Sequence, residues 1–491
     1  MAVRLNRAIS EKKIRPVRIL QFGEGNFLRG FVDYMVDIAN EHGGFDGDVA
    51  VVKPIEGGSL KAFHEQDCQY TVLLRGAKDG KETEAARVVG CIADAVDAYQ
   101  EYDRYAAYAE LDTLRFVVSN TTEAGIVFDP TDRLELSPPR TFPGKLTKLL
   151  LERYRYFNGA DDKGLVMLPV ELIEDNGGKL RDCVLRLAAH WELGEDFRRW
   201  VETSCIFCST LVDRIITGFP RGEAEALWER FGYRDELLVT GEPFALWVIE
   251  GPPSVRKELP LDQVGLPVVF TEDQSPYRQR KVRILNGAHT SFALAAFLAG
   301  YDDVYTAMQE PLIRHFVLDT IFEEIIPTLT LPRGELEEFA HAVIERFRNP
   351  YIRHELLSIS LNSVSKWRAR CLPSVVGFME QTGSAPARLA FSLAALVSFY
   401  SGRQQEDAFM GQRDGKPYRI QDDAHVLDFF ARNAALPAQE LISALLAKES
   451  FFGEDLTGRT ALTEVVAAAL EDIRTLGMRE AMERRFGGGA R

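Results

Sequence analysis

The sequence predicts an α/β domain followed by a mostly α-helical domain. Three observations indicate this: β-branched runs alternate with helical patterns in the first half, helical periodicity dominates from about Lys281, and a stretch rich in turn residues lies between, at 260–274. Alternating strands and helices are typical of a parallel sheet covered by helices. We therefore expect one domain at residues 1–270 and a second at 271–491, and a ligand commonly binds between two such domains.

The first half contains short runs that we expect to be strands of this sheet: Val17–Phe22, Val49–Val52, Tyr70–Leu74 and Arg115–Val118, with Leu165–Leu168 as a weaker candidate. In the second half strand-like runs nearly vanish. The segments with helical periodicity there are Val282–Leu298, Met308–Ile325, Leu336–Phe347, Ile352–Leu361, Arg388–Tyr400, Pro437–Ala447 and Leu462–Leu476.

The composition is that of a globular protein, with 491 residues, 46% hydrophobic and 27% charged. The net charge of −15 gives no basic footprint for nucleic acid or an anionic membrane. The pair Cys205 and Cys208 supplies half of a structural zinc site, so no metal is expected. No secretory signal is evident, and the longest apolar stretch is too short to span a bilayer. We expect a cytoplasmic monomer or small homo-oligomer without nucleic-acid or membrane partners.

A glycine-containing turn follows the first predicted strand and precedes the amphipathic segment Phe31–Ala39. This is the context that dinucleotide binding requires. Gly23 would allow a tight turn, Gly25 would let the backbone approach a pyrophosphate, and the helix N-terminus would supply N–H donors. Leu28 stands in place of the usual third glycine, so an ordinary turn remains the alternative.

The second predicted strand ends at Lys53, where an acid usually binds the adenine ribose. A lysine there could tolerate the 2′-phosphate of NADP or could be solvated surface, so the residues alone leave NAD and NADP open. After the next strand of the expected sheet comes Ser119-Asn120-Thr121-Thr122. These small polar residues lie where α/β sheets bind ligands, although they could equally cap a helix.

The segment Lys281–His289 carries three polar residues on one side of a predicted helix. At about 100° per residue, Lys281, His289 and Asn286 fall at about 0°, 80° and 140°. A partly desolvated lysine has a lowered pKa and can exchange a proton with an alcohol. An asparagine amide can donate to an oxygen that gains negative charge, and a histidine can orient a substrate. The alternative is a surface lysine, a capping asparagine and a structural histidine.

A cationic run surrounds Lys366 and Arg370, which are spaced to share a helix face, with Arg353 upstream. Arginine can bind a carboxylate through two hydrogen bonds. The alternative is a solvated helix face.

Several segments together resemble the mannitol dehydrogenase family, the polyol-specific long-chain dehydrogenases. The motifs that carry this resemblance lie in family order between about Val17 and Pro373. They are Gly23-x-Gly25-x-Phe27-x-Arg29, Thr122-Glu123-x-Gly125, Val212-Asp213-Arg214-Ile215, Glu242-Pro243-Phe244-x-x-Trp247-Val248-Ile249-Glu250 and Lys281-x-x-x-x-Asn286-x-x-His289.

The resemblance implies a Rossmann-like N-terminal domain, a helical C-terminal domain, NAD as cofactor and no metal. It assigns Lys281 as general acid/base, Asn286 as oxyanion donor and His289 as a substrate-positioning residue. The substrate-binding residues it leads us to expect are Glu171, Arg353, Lys366 and Arg370. The expected cofactor-binding residues are Phe22, Gly23, Gly25, Asn26, Phe27, Asn120, Thr121, Thr122 and Asp213.

Within the family, the forms around Leu28 and Glu171-Leu172 are most similar to members that act on sugar acids. Mannitol-type members tend to have Asp-Asn at 171–172, and that asparagine is a second oxyanion donor. Here Glu171 or a backbone group substitutes, or Asn286 acts alone. We expect interconversion of D-altronate and D-tagaturonate. The alternatives are another reaction of the family, such as fructuronate reduction or mannitol oxidation, a nucleotide-binding sensor, or an NAD-using epimerase.

Overall fold

A computed structural model describes residues 3–78, 81–122, 124–405 and 408–489. The chain divides into two compact units. The first comprises Met1–Gly76 and Glu82–Gln274, and the second comprises Ser275–Arg491 with Ala77–Lys81. An α/β unit is followed by a helix-rich one, so the predicted fold class is confirmed.

The first unit is built on a six-stranded parallel sheet. Its strands, in spatial order, are Ile92–Asp97, Asp48–Lys53, Val17–Phe22, Phe116–Ser119, Val166–Pro169 and Ile206–Phe207. The chain starts in the middle, runs to one edge, and returns to build the other half. The order therefore reverses between Val17–Phe22 and Phe116–Ser119, which is where such sheets bind ligands.

Alternate residues of the central strands pack into two hydrophobic clusters, one on each face of the sheet. Ile19 and Val51 belong to one cluster, and Leu20, Phe22 and Val52 to the other. Because both faces are covered, these strands contain runs of consecutive apolar residues, which is why they were recognisable in the sequence.

Tyr70–Leu74 is a strand as predicted, but it is not part of the parallel sheet. It begins Tyr70–Lys78, in a mixed four-stranded sheet with Ile216–Gly218, Val239–Gly241 and Lys81–Val89. A three-stranded sheet contains Ser209–Asp213, Leu246–Glu250 and Val268–Thr271, and Val3–Arg4 pairs with Tyr233–Arg234.

The helix after the glycine turn runs from Asn26 to His42, with a π-helical segment at Arg29–Asp33 between α-helical Asn26–Leu28 and Tyr34–His42. The other α-helices of this unit are Arg7–Ser10, Lys61–Glu65, Tyr102–Ala106, Phe142–Tyr156, Asn176–His190, Glu195–Ser204, Ala224–Phe231 and Pro253–Glu258, with 3₁₀ turns at Ala107–Glu110, Asp161–Lys163 and Leu261–Val264.

The second unit is organised around the buried helix Ala387–Phe399, which packs against Gly287–Leu298 and Thr460–Leu476. Its other α-helices are Ser275–Arg280, Val304–Gln309, Pro311–Asp319, Arg333–Phe347, Leu356–Ile359, Ser363–Arg370, Leu372–Thr382, Ala424–Asn433, Ala438–Leu446, Glu449–Phe452 and Met478–Phe486. Lys281–Asn286 and Thr320–Ile325 are π-helical, and Ile326–Thr328 and Gly487–Gly489 are 3₁₀ turns.

Two predictions for the second unit were wrong. Ile352–Leu361 is helical only at Leu356–Ile359, because Glu355 is extended and forms a β-bridge with Asp303. An antiparallel sheet of Arg403–Gln405, Ala408–Arg413 and Lys416–Ile420 was also missed. Within the described ranges, no helix is long and apolar enough to cross a membrane.

Candidate functional site: a cavity in the first unit and a cationic cluster in the second

A cavity of about 400 Å³ lies at the carboxyl ends of the central parallel strands. It is bounded by the turns that follow Val17–Phe22, Asp48–Lys53 and Phe116–Ser119, at the point where the strand order reverses. The lining residues are Gly23, Glu24, Gly25, Pro54, Ile55, Asn120, Thr121, Thr122, Ala124, Gly125, Val127, Arg140, Thr141 and Phe142.

The glycine turn has the geometry that a close-approaching ligand needs. Gly23 has a φ of +127°, and a Cβ there would lie 3.2 Å from the carbonyl oxygen of Asn120. A Cβ on Gly25 would meet no atom within 4 Å, so this backbone is open where it lines the cavity. Gly25 is also the N-cap of the helix that begins at Asn26. The backbone N–H groups at the start of this helix and the positive end of its dipole suit an anion such as a pyrophosphate.

A third glycine of close approach is present after all, at Gly30. A Cβ there would lie 2.6 Å from Cδ1 of Ile216. Gly30 therefore lets the helix pack closely against the neighbouring strand. This is the role of the third glycine of a dinucleotide motif, whose usual position is occupied by Leu28. Arg214 donates to the carbonyl oxygen of Gly30 at 2.9 Å and to that of Phe244 at 3.0 Å. The Val212–Ile215 and Glu242–Glu250 motifs thus include a clamp on this helix.

Glu171 supports the turn after Phe116–Ser119. One carboxylate oxygen accepts hydrogen bonds from the backbone N–H and the hydroxyl of Thr121, at 2.9 and 3.0 Å, and the other accepts from the hydroxyl of Ser119 at 3.1 Å. The side chain is buried, and burial raises its pKa, while these hydrogen bonds act in the opposite direction. The substrate-binding role of Glu171 stays a prediction; its described contacts are to the turn.

A second buried carboxylate, Asp132, supports another part of the cavity wall. It accepts from the backbone N–H of Arg140 at 2.8 Å and from the backbone N–H and hydroxyl of Thr141 at 2.9 and 2.6 Å. The Thr141 hydroxyl in turn accepts from the N–H of Gly144 and caps the helix Phe142–Tyr156. Arg140 itself is exposed and lines the cavity, where it supplies a positive charge.

Lys53 is neither solvated surface nor a residue that presents a cation to the cavity. Its side chain is 1% exposed. The ammonium group lies 2.9 Å from the carboxylate of Asp97 and donates to the carbonyl oxygens of Ile55, Glu56 and Gly57 at 2.6, 3.2 and 2.9 Å. Both readings of Lys53 left open by the sequence are therefore wrong, because its charge is satisfied inside the protein and holds the loop that follows.

Of the predicted cofactor-binding residues, Gly23, Gly25, Asn120, Thr121 and Thr122 line the cavity, and the others do not. The side chain of Phe22 is fully buried against Tyr105 and Phe142, so only its backbone is available. The side-chain oxygen of Asn26 accepts a hydrogen bond from the guanidinium of Arg29. Phe27 stacks on Phe31, and Asp213 lies in the strand Ser209–Asp213. Glu123 lies outside the described residues.

The lining chemistry fits a dinucleotide. The open backbone at Gly25 and the charge of Arg140 suit a pyrophosphate. Ile55 and Val127 expose 59% and 50% of their surface, and both line the cavity, which suits the flat face of an adenine. Ile55, Val127 and Arg140 were missed because loop residues carry no periodic pattern.

In the second unit, Lys281 and Asn286 are the first and last residues of a π-helical segment. The N–H of Gly287 donates to the carbonyl oxygen of Val282, five residues back. Residues five apart therefore lie about one turn apart, and Lys281 and Asn286 have this spacing. The predicted angles assumed an α-helix and were wrong for this pair, which the π-helix brings closer to one face.

His289 follows on the same helix and lies in an aromatic cage. Its ring centroid is 4.1 Å from that of Phe347 and 5.1 Å from that of His354, with the two imidazoles edge to face. Burial lowers the pKa of His289 well below its usual value, and the charges of Arg346 and Arg370 lower it further. Both histidines are therefore neutral near pH 7, because burial also lowers the pKa of His354.

A cationic cluster surrounds the two histidines. Arg370 donates to the hydroxyl of Thr290, the residue after His289, at 3.3 Å. The positive charges of Arg346 and Lys366 lower the pKa of His354, and burial lowers the pKa of Lys366 itself. Arg346 was not among the predicted residues, because it lies in the periodic segment Leu336–Phe347, where it reads as an ordinary helix residue.

Arg353 differs from Lys366 and Arg370. Its side chain is 77% exposed and lies 3.9 Å from the carboxylate of Glu355. The structure thus brings Lys366 and Arg370 to His289 and His354, and gives no such contact for Arg353. In the part of the chain that the structure describes, no three His, Cys, Asp or Glu side chains are grouped so that they could hold a metal ion.

Family models match both units. A model described as the mannitol dehydrogenase Rossmann domain matches residues 17–263, and one described as the mannitol dehydrogenase C-terminal domain matches residues 273–474. Two similar curated proteins are named altronate oxidoreductase, one from Escherichia coli O7:K1 (strain IAI39 / ExPEC) and one from Shigella flexneri. Each is 47% identical to this chain over 474 residues, which cover 95% of this chain and 96% of the relative.

Two solved structures show the same fold. A D-sorbitol dehydrogenase in substrate-free form is 23% identical, with a TM-score of 0.79 over 98% of this chain and 100% of that one. Pseudomonas fluorescens mannitol 2-dehydrogenase, in a ternary complex with NAD and D-mannitol, is also 23% identical, with a TM-score of 0.65 over 96% of this chain and 95% of that one.

Proposed function

Because the chain belongs to the mannitol dehydrogenase family, we propose that it is an NAD-dependent dehydrogenase that interconverts D-altronate and D-tagaturonate in hexuronate catabolism. The observation that carries the substrate is the 47% identity to altronate oxidoreductases over nearly the whole chain. The cationic cluster at His289 and His354 supports it, because a sugar acid carries a carboxylate that a neutral polyol lacks.

Residues 1–270 bind NAD in this proposal. The glycine turn and the helix that starts at Asn26 would hold the pyrophosphate, with Arg140 as its counter-charge. Ile55 and Val127 would hold the adenine. Lys53 offers no free cation for a 2′-phosphate, because its ammonium is bound by Asp97 and three carbonyl oxygens, which favours NAD over NADP.

Residues 271–491 bind the sugar acid and supply the acid and base. NAD, when bound, would supply the hydride acceptor for the oxidation of altronate, and its reduced form would supply the hydride donor for the reduction of tagaturonate. In the reduction, Asn286 donates a hydrogen bond to the oxygen that becomes an alkoxide, and the Lys281 ammonium delivers the proton. His289, kept neutral by its surroundings, has one donor and one acceptor nitrogen with which to orient a hydroxyl group. Lys366, Arg370 and Arg346 attract the carboxylate.

The role of Lys281 is tested by Lys281→Ala, with Lys416→Ala as control, since Lys416 is exposed on a distant strand. We expect turnover to fall by about 10²–10⁴ when the proton donor is lost, while NADH binding stays unchanged. The control should match wild type. Turnover of Lys281→Ala near that of wild type, with hydride transfer limiting the rate, would exclude the assignment.

The substrate is tested by the loss of reduced-nicotinamide absorbance with tagaturonate, fructuronate and fructose, each with NADH and with NADPH. We expect rapid loss with NADH and tagaturonate, and little with fructose. Preference for fructuronate or fructose would keep the mechanism and reject the substrate. No loss with any ketose would favour a sensor or an epimerase instead.

We also propose that the enzyme works in the cytoplasm, as a monomer or a small homo-oligomer, on a small sugar acid without nucleic-acid or membrane partners. The absence of a spanning helix in the described ranges is compatible with this. Light scattering of the purified protein measures the oligomeric state directly.

A further inference from the structure

Glu171 follows the strand Val166–Pro169 and binds the turn that follows the neighbouring strand Phe116–Ser119. The sequence places it where relatives of mannitol type have an acid before their second oxyanion asparagine, which led to its assignment as a substrate contact. We propose instead that Glu171 is a positioning residue for NAD: its carboxylate fixes the turn Ser119–Thr122, and the turn binds the cofactor. This inference rests on the proposed NAD binding in the cavity of the first unit.

The carboxylate of Glu171 is fully engaged by the turn. Three donors point at it: the Thr121 N–H and hydroxyl at 2.9 and 3.0 Å on one oxygen, and the Ser119 hydroxyl at 3.1 Å on the other. Hydrogen bonds to an ionised acceptor are the strong ones. With 3% of the residue exposed, water offers little competition for these donors.

The backbone of Glu171 is itself held in place by the side chain of Asn176. Asn176 donates to the backbone carbonyl oxygens of Glu171 and Pro169, each at 3.0 Å, and to that of Thr210 at 3.1 Å. The side-chain oxygen of Asn176 accepts a hydrogen bond from the backbone N–H of Thr210 at 2.8 Å. Because Asn176 is at the start of a 15-residue helix, the carboxylate is tied through it to a helix and two strands.

The turn Ser119–Thr122 also lies against the glycine turn at Gly23. A Cβ on Gly23 would lie 3.2 Å from the Asn120 carbonyl oxygen, so these backbones are already in close contact. Asn120 also donates to the carbonyl oxygen of Val170 at 3.2 Å. A shift of Ser119–Thr122 after loss of the carboxylate would therefore change two of the three turns that line the cavity. Such a shift would weaken NAD binding without any contact from Glu171 to the cofactor.

The test compares Glu171→Ala with the conservative Glu171→Gln in the full-length protein. A glutamine oxygen can still accept from Thr121, and the Ser119 hydroxyl can turn to accept from the amide. Glu195→Ala is the matched control, since Glu195 is an exposed glutamate of the same unit. Two quantities are measured: the Kd of NADH from its fluorescence without substrate, and the KM of tagaturonate at saturating NADH.

We expect Glu171→Ala to raise the NADH Kd by about 10-fold or more, as the loss of charged hydrogen bonds predicts. Glu171→Gln should recover most of that loss, and the tagaturonate KM should change far less than the Kd. An unchanged NADH Kd, or a rise in the tagaturonate KM that equals or exceeds it, would overturn the proposal. If Glu171→Ala does not fold, Ser119→Ala removes one of the three bonds and should raise the NADH Kd by a smaller factor; an unchanged Kd would again overturn it.

Gly25→Val separates this proposal from the one it rests on. A valine there would project into the open space of the cavity. If NADH still binds to Gly25→Val as to wild type, the cavity is not the cofactor site, and the premise fails independently of Glu171. If Gly25→Val loses NADH while Glu171→Ala keeps it, only the positioning role fails.

Discussion

Asp33 lies fully buried beneath the glycine turn. Its carboxylate accepts hydrogen bonds from the Gln21 amide and the Tyr70 hydroxyl, both at 3.2 Å. The same Gln21 amide donates to the carbonyl oxygen of Gly23 at 3.2 Å. Burial raises the pKa of Asp33 from its ordinary 3.8 to about 7. The support of the turn therefore contains a carboxyl group that takes up a proton near neutral pH.

We expect Asp33→Asn to be more favourable to stability at pH 8 than at pH 5. The folded chain binds the Asp33 proton more tightly than the unfolded chain, so wild-type stability from this residue falls as pH rises from about 4 to about 7. Asparagine removes that loss, which amounts to about 2–4 kcal/mol for a shift of this size. Thermal unfolding of both proteins at both pH values measures it. An equal difference at pH 5 and pH 8 would contradict the pKa.

Lys53 shows why part of the site was beyond sequence reasoning. A lysine at the end of a strand reads as surface, because buried lysines are rare without a partner. Its partner Asp97 ends the strand Ile92–Asp97, which was not predicted because acids interrupt its apolar residues. The error at Lys53 thus followed from the missed strand. By contrast, Gly23, Gly25 and Asn120 were predictable, because they lie within three residues of the end of a mostly apolar strand.

At the scale of elements, three helices among the described residues contain π-helical segments: Arg29–Asp33, Lys281–Asn286 and Thr320–Ile325. A π segment inserts a residue into an α-helix and is frequent at functional sites. Two of the three lie in helices that carry predicted site residues. Sequence periodicity does not reveal them, because segments of 5 or 6 residues are too short to show a period of their own.

We expect insertion of one alanine between Lys281 and Val282 to abolish turnover while leaving NADH binding intact. The extra residue rotates Lys281 by about 100° relative to Asn286 and His289. Loss of proton transfer in that arrangement should lower kcat by about 10²-fold or more. Steady-state rates and NADH fluorescence measure the two effects, with circular dichroism as a folding control. Turnover close to wild type would show that catalysis does not depend on the alignment of Lys281 with Asn286 and His289.

The elements that were predicted correctly share a physical cause. Val17–Phe22, Asp48–Lys53 and Phe116–Ser119 have central residues that are buried on both faces, so each contains a run of consecutive apolar residues. Arg403–Gln405 and Ala408–Arg413 lie in a small, partly exposed sheet whose polar residues give no such signal. The helix expected at Ile352–Leu361 failed because a bridge to Asp303, distant in sequence, decides the conformation of Glu355.

At the scale of the whole molecule, the charge of −15 contrasts with the local cluster of Arg346, Lys366 and Arg370. Both expected ligands, a dinucleotide and a sugar acid, are anions. A local cation group in a generally acidic protein gives such ligands a place where attraction exceeds the repulsion of the rest. The predicted division of labour assigns these two anions to different units.

We expect hydrogen exchange to show this division. NADH alone should slow exchange at Gly23–Gly25 and Ser119–Thr122, because a bound ligand suppresses local opening. The segments around His289 and Lys366 should respond only when tagaturonate or altronate is added as well. Mass spectrometry of the peptides measures both. Protection around Lys366 by NADH alone, with none at the glycine turn, would reverse the assignment of the units.

Because Lys53 is buried, chemical modification of its amine can report how often the loop beside the cavity opens. An acylating reagent needs a free, accessible amine, which Lys61, 77% exposed, offers at all times. Lys53 offers one only while the loop of Ile55–Gly57 has swung away from Asp97. The acylation rate of Lys53 divided by that of Lys61 therefore measures how often the loop opens. The measurement needs no mutation and works in a mixture of proteins.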